Sequence, residues 1–461
     1  MLKTSLKYVL TFIVTMIILI VLLFFSSLIP SKKLEDNVRK SSEFLAQYGE
    51  EQEIEFPFRT ERLFYFTDAL MLNTAYSIDS THPYEAMLLD RKNYIPGQTQ
   101  NFHGEIEKHI GTSPNYTDEY GNTFQVAELY GLMHGENIVD SYEYTRYWHG
   151  YLIFLRPLLT IISIEGIRNL LFVLTIVLSL VALFLIVKRL NLITAIIYLL
   201  SFLAINLYVI CNSMNEITTF IIALIAVIFL LLKRGKFKNP ASVFLVIGMC
   251  TSFFDLLTTP LVTLGLTLPI YVLLNLKDSN KKLYIDCIKI CVAWAIGYGL
   301  CWNLKWIITD ITLGKHILAD AISQALYRTG DIIGAGLFDI FKVNLGRLGN
   351  YIIRGLFIVL AIYAVIGAVK EIYLKKRKKQ QTGKVEILKA LIFVIIAIFP
   401  FIWYAVLKNH SYVHSFFVYR ILIITILNVQ IAFTLFMGLQ DNLLKEKVQE
   451  IPEKTKDINR E

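Results

Sequence analysis

Residues 1–29 read MLKTSLKYVLTFIVTMIILIVLLFFSSLI, and the fold class follows from this stretch. Lys3 and Lys7 precede an apolar run from Tyr8 to Ile29, about the 20 residues that a helix needs to cross a bilayer. The run is longer than a signal-peptide core and lacks a clear A-x-A cleavage site, so it reads as a retained signal anchor. Its two lysines hold the start of the chain on the cytoplasmic side.

Working outward, comparable apolar stretches lie near 167–187, 191–210, 217–232, 241–257, 260–276, 284–306, 353–374, 387–407 and 419–438. With the first they predict an all-α polytopic membrane protein of about ten transmembrane helices. Starting from the inside, the even count puts Lys188-Arg189, Lys233 to Lys238, Lys277 to Lys282 and the run 375–379 in cytoplasmic loops. Every strong basic run then falls inside, a test separate from hydropathy because one miscounted span would invert all later loops. The expected organisation is a signal-anchor helix over 1–29, an extracytoplasmic loop domain over 30–166, a multi-helix transmembrane domain over 167–438 and a cytoplasmic tail over 439–461.

Composition agrees with this reading. In 461 residues, 55% are hydrophobic and only 18% charged, with a mean hydropathy of +0.54, which excludes an ordinary soluble domain. The formal net charge of +8 lies in short runs between apolar spans and so reads as topology; no nucleic acid is expected as a partner. The five cysteines fall in or beside apolar spans and imply no disulfide framework. Cys287 and Cys291 share a helical face but lack the further Cys/His pair of a zinc site. No Walker, Rossmann or zinc-protease signature and no internal repeat occurs, so soluble nucleotide chemistry has no support.

Three outer segments remain. In the first, the end Tyr147-Trp148-His149-Gly150-Tyr151 running into Leu152-Ile153-Phe154-Leu155-Arg156-Pro157 is expected on the membrane surface, being too short and interrupted to span, with a re-entrant helix as the alternative. The second, about 309–350, is expected to hold interfacial helices, and the third is the short stretch 408–418.

Ionisable residues beside apolar spans are costly, about 2.5–3.5 kcal/mol each at a helix centre on insertion scales, so their placement is informative. Glu216 opens the fourth span, Asp255 sits between the fifth and sixth, Lys305 closes the seventh and Arg420 opens the tenth. All four fall at the outer boundary, where a mixed-sign site is the economical reading. Plainer roles stand beside it: Arg420 and Lys305 are also placed to snorkel to head groups, and Glu216 to complement a helix dipole. Lys289 reads as a snorkelling residue.

In the first outer loop, Asp68 stands in Phe64-Tyr65-Phe66-Thr67-Asp68-Ala69-Leu70-Met71. A carboxylate so framed loses water, its pKa rises and it becomes a better base. Thr67 or Asp68 could equally cap a helix. The next carboxylates in line are Asp79, Glu61 and Asp255. His82, His103, His109, His134 and His149 are scattered without a ligand pattern.

Thr67-Asp68-Ala69, Phe254-Asp255-Leu256-Leu257-Thr258, and His410-Ser411-Tyr412-Val413-His414 followed by Tyr419-Arg420, set in this architecture, resemble the GT-C class of integral membrane glycosyltransferases, particularly its bacterial members. The pair of acids separated by one residue, familiar in that class, is absent around Asp68. The resemblance implies transfer of a sugar from a polyprenyl-phosphate donor to a glycan or lipid acceptor of the cell envelope, generally with inversion, at the outer face of a bacterial cytoplasmic membrane. On that reading Asp68 is the base; His410, His414 and Arg420, with Lys305, bind the donor phosphate; and Asp255, Glu216 and Tyr419 line the cavity. No cofactor is required by the residues, and a divalent metal ion stays open. A lipid-linked saccharide flippase, a surface-polysaccharide polymerase or ligase, and a noncatalytic envelope scaffold are the other readings.

Overall fold

The computed structural model describes residues 2–56, 59–94, 125–135, 140–330, 334–376 and 387–440. The tail beyond Gln440, the basic residues from Arg377 to Lys379, and His103 and His109 lie outside the described residues.

All ten apolar stretches are helical. Among the described residues, seven helices are long and apolar enough to cross a membrane: Leu6–Ser27, Ile164–Arg189, Met214–Leu232, Asn280–Leu313, Asn350–Tyr373, Ile387–Val406 and Ser415–Phe436. Three shorter apolar helices, Leu192–Ala204, Pro240–Phe254 and Leu261–Leu274, occupy the stretches 191–210, 241–257 and 260–276. The first two end at identifiable residues. Asn206 takes a left-handed conformation (φ 59°) and ends the first early, while the second stops at Asp255, followed by left-handed Leu257 and by Pro260. The last helix begins earlier than expected, with a broken entry of Ser415–Val418 and a 3-10 turn over Tyr419–Leu422 before Ile423–Phe436.

The segment 30–166 is not purely helical. Between its helices Glu35–Ala46, Tyr65–Tyr76, Pro83–Leu89 and Gln125–Met133 it holds two antiparallel strand pairs, Glu51–Phe56 with Arg59–Phe64 and Arg91–Tyr94 with Asp140–Glu143. In the Leu152–Leu159 helix, Leu152, Leu155, Arg156 and Leu159 are buried. Arg156 makes this possible by donating to the carbonyls of Ser26, Ile29 and Ala75 at the ends of the first helix and the Tyr65 helix. Helix C-terminal carbonyls lack intrahelical donors and favour a cation, so a charge unsuited to burial becomes a pin between two helix ends.

One apolar core joins this segment to the membrane helices, through Leu23, Leu45, Leu72, Trp148, Leu155, Ile167, Ile217 and Phe253. Its tightest crossing is between Pro240–Phe254 and Asn280–Leu313, where Gly248 faces the Trp294 carbonyl and Gly297 faces the Leu245 carbonyl. Small residues at such crossings let the two backbones touch.

Candidate functional site

The segment 30–166 meets one end of the helix bundle, and the polar residues singled out in the sequence gather there in four groups. Asp68 is fully buried, at 0% exposure. Its Oδ2 accepts from Arg168 Nε at 2.9 Å and from the same guanidinium's Nη2, and its Oδ1 accepts from the Met214 N–H at 3.2 Å. Burial raises its pKa, while Arg168 and the Met214 N–H pull the other way. Asp68 does not cap its own helix, which starts at Tyr65 with no side-chain cap; it caps the Met214–Leu232 helix instead. With both oxygens occupied and no exposed surface, it works as a clamp between the 30–166 segment and two of the long apolar helices.

The second group does bring together three of the expected residues. Arg420 Nη1 lies 2.7 Å from Glu216 Oε2 and Nη2 lies 3.6 Å from Glu61 Oε2. Tyr419 donates its hydroxyl to Glu61 Oε1 at 2.8 Å. Arg420 Nη1 also donates to the Phe416 carbonyl at 3.1 Å, whereas Nε and Nη2 have no aligned hydrogen-bond partner. At the broken entry of the last helix, Tyr419 and Arg420 meet Glu61 of the 30–166 segment. Glu61 comes from the strand Arg59–Phe64, three residues before Phe64, whose ring lies 4.1 Å from that of Phe416. At 8% exposure, Glu61 is more accessible than Glu216 at 2% and Asp68 at 0%.

Lys305 and Asp255 stand apart from Arg420. Lys305 Nζ donates to Asp90 Oδ2 at 2.8 Å and to the Met87 carbonyl at 2.9 Å, both side chains being fully buried. Burial pushes Asp90 up to about 7 in spite of that lysine. Asp255 closes its own turn, accepting the Thr258 N–H at 3.1 Å on each oxygen. His410 Nε2 donates to the carbonyl of Leu257 in the same turn at 3.0 Å, and the His414 ring lies 4.8 Å from that of His410. The two histidines are thus together, on the turn side of the 408–422 strap, while Arg420 faces the carboxylates.

The partners Arg168 and Asp90 were not singled out in the sequence. Arg168 opens the second span as Arg420 opens the last, and the same boundary signal could have marked it. Asp79 and His82 pair with each other at 2.9 Å on the exposed surface. Buried His149, on which the plain reading was no metal ligand, holds the Tyr144 carbonyl and the Tyr151 hydroxyl at 2.8 and 2.9 Å. Among the described residues no group of three or more His, Cys, Asp or Glu side chains is placed to hold a metal ion. No known protein family, curated protein or solved structure matches this chain.

Proposed function

We propose that this chain is a membrane glycosyltransferase that moves a sugar from a polyprenyl-phosphate donor to a glycan or lipid acceptor of the cell envelope. In this reading all ten apolar helices cross the membrane, both termini are cytoplasmic, and 30–166 stands on the outer face. One observation carries it: a strand of the outer segment delivers Glu61 to a tyrosine, an arginine and a second acid at the first turns of two membrane helices. Phosphate is already a good leaving group, so the reaction needs one carboxylate, not the two of a glycosidase. The acceptor oxygen attacks the anomeric carbon, the bond from that carbon to the phosphate oxygen breaks, and the acceptor proton passes to the carboxylate. Glu61 takes this role here in preference to Asp68, because Glu61 keeps 8% exposure and Asp68 has none. Arg420 and Tyr419 position Glu61.

The test is transfer of labelled hexose from a polyprenyl-phosphate hexose to a lipid extract carrying acceptor, in vesicles holding the full chain. Glu61→Gln keeps the shape and removes the base, and turnover should fall by about 10²-fold or more with an unchanged melting temperature. Wild-type turnover in Glu61→Gln would overturn the assignment. The orientation is checked with a single cysteine at exposed Thr81: labelling only from the cytoplasmic side would reverse the topology.

A further inference from the structure

The Glu61 group is almost closed. Glu61 is 8%, Glu216 2% and Arg420 0% exposed, so an acceptor reaches the carboxylate only if some element moves. Phe416 seals it at one side: its carbonyl accepts from Arg420 Nη1 at 3.1 Å, and its ring lies 4.1 Å from that of Phe64 and 6.4 Å from that of Phe66. Phe416 belongs to the 408–422 strap, whose first part breaks at Leu407 (φ −102°, ψ 60°) and at His414 (φ −97°, ψ 25°). The helices so divided, Lys408–Val413 and Ser415–Val418, have six and four residues, well short of the roughly 12 that an isolated helix needs. The shape of the strap therefore depends on what it touches.

Its polar ties to other elements are single hydrogen bonds. Asn409 donates to the Tyr327 carbonyl at 3.1 Å, His410 Nε2 to the Leu257 carbonyl at 3.0 Å, and Asn344, from the helix Leu337–Leu348, to the Ser411 carbonyl at 2.9 Å. The other polar end of each side chain in these ties has no partner: Asn409 Oδ1, His410 Nδ1 and Asn344 Oδ1 are buried unpaired, as are Ser411 Oγ and His414 Nδ1. Four of the six residues 409–414 thus carry such an atom. Tyr404 adds a fifth residue type to the same place. It stands on the helix Phe399–Val406 that leads into the strap, its ring is 6.3 Å from that of Phe341, one turn before Asn344, and its hydroxyl is also buried unpaired. Each of these atoms has given up water and received nothing, which disfavours the closed strap. Opening to water would pair all of them, whereas the surrounding helices have their backbone bonds and apolar faces to lose.

We propose that residues 408–416 are a lid over the Glu61 group, sealed by the Phe416 ring and biased towards opening by the unpaired polar atoms that the closed strap buries. Phe417 and Val418, at 8% and 0% exposure, stay in the core as the anchor, and the break at Leu407 is the other hinge. Opening lifts the Phe416 ring from Phe64 and its carbonyl from Arg420, which uncovers Glu61 without disturbing the Tyr419 and Glu216 contacts. Such an element belongs to the low-stability end of a fold, where local opening costs less than unfolding. What the lid admits rests on the proposed transfer; its movement does not, and is measured without turnover.

The experiment is amide hydrogen exchange of the full chain in lipid nanodiscs, read by mass spectrometry on peptides covering 408–416. Ser411→Ala, Tyr404→Phe and His414→Phe each remove an unpaired atom and keep most of the shape, the last with its ring still stacked 5.3 Å from that of Phe417. Each should slow strap exchange about tenfold, because the closed state loses a buried unpaired group, with Pro240–Phe254 unchanged. Phe416→Ala, which removes the seal, should speed it by a similar factor. Were these polar groups what holds the strap, the first three variants would speed exchange instead; that result, or no change in any of them, overturns the lid. In the labelled-hexose assay, Ser411→Ala/Tyr404→Phe should lower kcat in step with the slower opening. Slowed exchange with wild-type kcat overturns the strap as the entry to Glu61, while a wild-type chain that transfers no hexose overturns the transferase reading and leaves the lid to be decided by exchange alone.

Discussion

The carboxylate of Asp68 accepts the N–H of Met214 at 3.2 Å, so an acid of the 30–166 segment caps a long apolar helix 146 residues further along the chain. The first N–H groups of a helix have no partner of their own, and here the missing acceptor arrives from another part of the fold. The same carboxylate neutralises Arg168, whose guanidinium also lies 4.5 Å over the Tyr65 ring. Removing the acid leaves a buried cation and an open helix end together. Asp68→Ala is predicted to destabilise the protein by about 3–5 kcal/mol, the range for breaking a buried pair from one side. Denaturation in detergent measures it, and Asp68→Ala/Arg168→Met should recover much of the loss. A base that served chemistry alone would show the reverse pattern, with activity lost and stability kept.

Lys305 and Asp90 obey the same logic at the far end of Asn280–Leu313, with both side chains at 0% exposure. Lys305→Met should cost about 3–5 kcal/mol, and the double variant Lys305→Met/Asp90→Asn should cost much less, because a buried pair replaced as a whole leaves no charge uncompensated. A double-mutant cycle read by unfolding gives the coupling. Near-additive single effects would mean that the two do not stabilise each other.

The helices were legible because lipid imposes one rule on long apolar runs, and the charged residues beside them were legible as a boundary set. Glu216, Tyr419 and Arg420 do come together. What the sequence could not show is what each charge faces. Arg168 is 100 residues from Asp68, and Asp90 is 215 residues from Lys305, so no local pattern links either pair, and isolated acids and cations look free. The strands escaped notice for another reason: Glu51-Gln52-Glu53-Ile54-Glu55 has no fully buried face, its residues alternating between exposed and half-buried, and an alternation without a core leaves no hydrophobic period to read.

At the crossing of Pro240–Phe254 and Asn280–Leu313, a methyl group on Gly248 would strike the Trp294 carbonyl, and one on Gly297 the Leu245 carbonyl. Neither obstacle is a flexible side-chain tip, so the helices must part. Gly248→Ala and Gly297→Ala are each predicted to destabilise by about 1–3 kcal/mol, as overpacking does. Gly299→Ala meets nothing within 4 Å and should be neutral or slightly stabilising. Thermal unfolding of the three variants side by side checks the contrast.

Glu50 supplies a pH dependence. Its Oε1 accepts the Val126 N–H at 2.9 Å, and Oε2 is buried without a partner. Burial, assisted by Glu128, raises its pKa from 4.5 to about 8. Between those values the folded state holds a proton that the unfolded state has released, so the stabilisation is complete below about pH 4.5, declines as pH rises and is gone above about pH 8. Glu50→Gln mimics the protonated side chain and keeps the bond to Val126. It should flatten the decline between pH 5 and 8 and be the more stable form at pH 8. An unchanged slope in Glu50→Gln would place the titration elsewhere.

Arg420 separates three accounts of the Glu61 group through its kinetics. Its guanidinium reaches Glu216 at 2.7 Å and Glu61 at 3.6 Å from two different nitrogens, and only a planar fork holds two acids apart in this way. Lysine keeps the charge, satisfies Glu216 and gives up the second arm. Arg420→Lys should therefore keep most of the stability, whereas Arg420→Gln leaves Glu216 buried without a cation and should lose about 3–5 kcal/mol. The turnover of Arg420→Lys is the deciding measurement. As a positioning residue for Glu61, Arg420 acts on the transition state, so kcat should fall about tenfold with KM for the polyprenyl-phosphate donor unchanged. A ligand of the donor phosphate would raise KM instead, since binding of ground state and transition state would weaken together. An anchor at the head-group boundary would leave both constants alone. The predicted result is the first, because the arginine is already enclosed by Glu216, Glu61 and the Phe416 carbonyl.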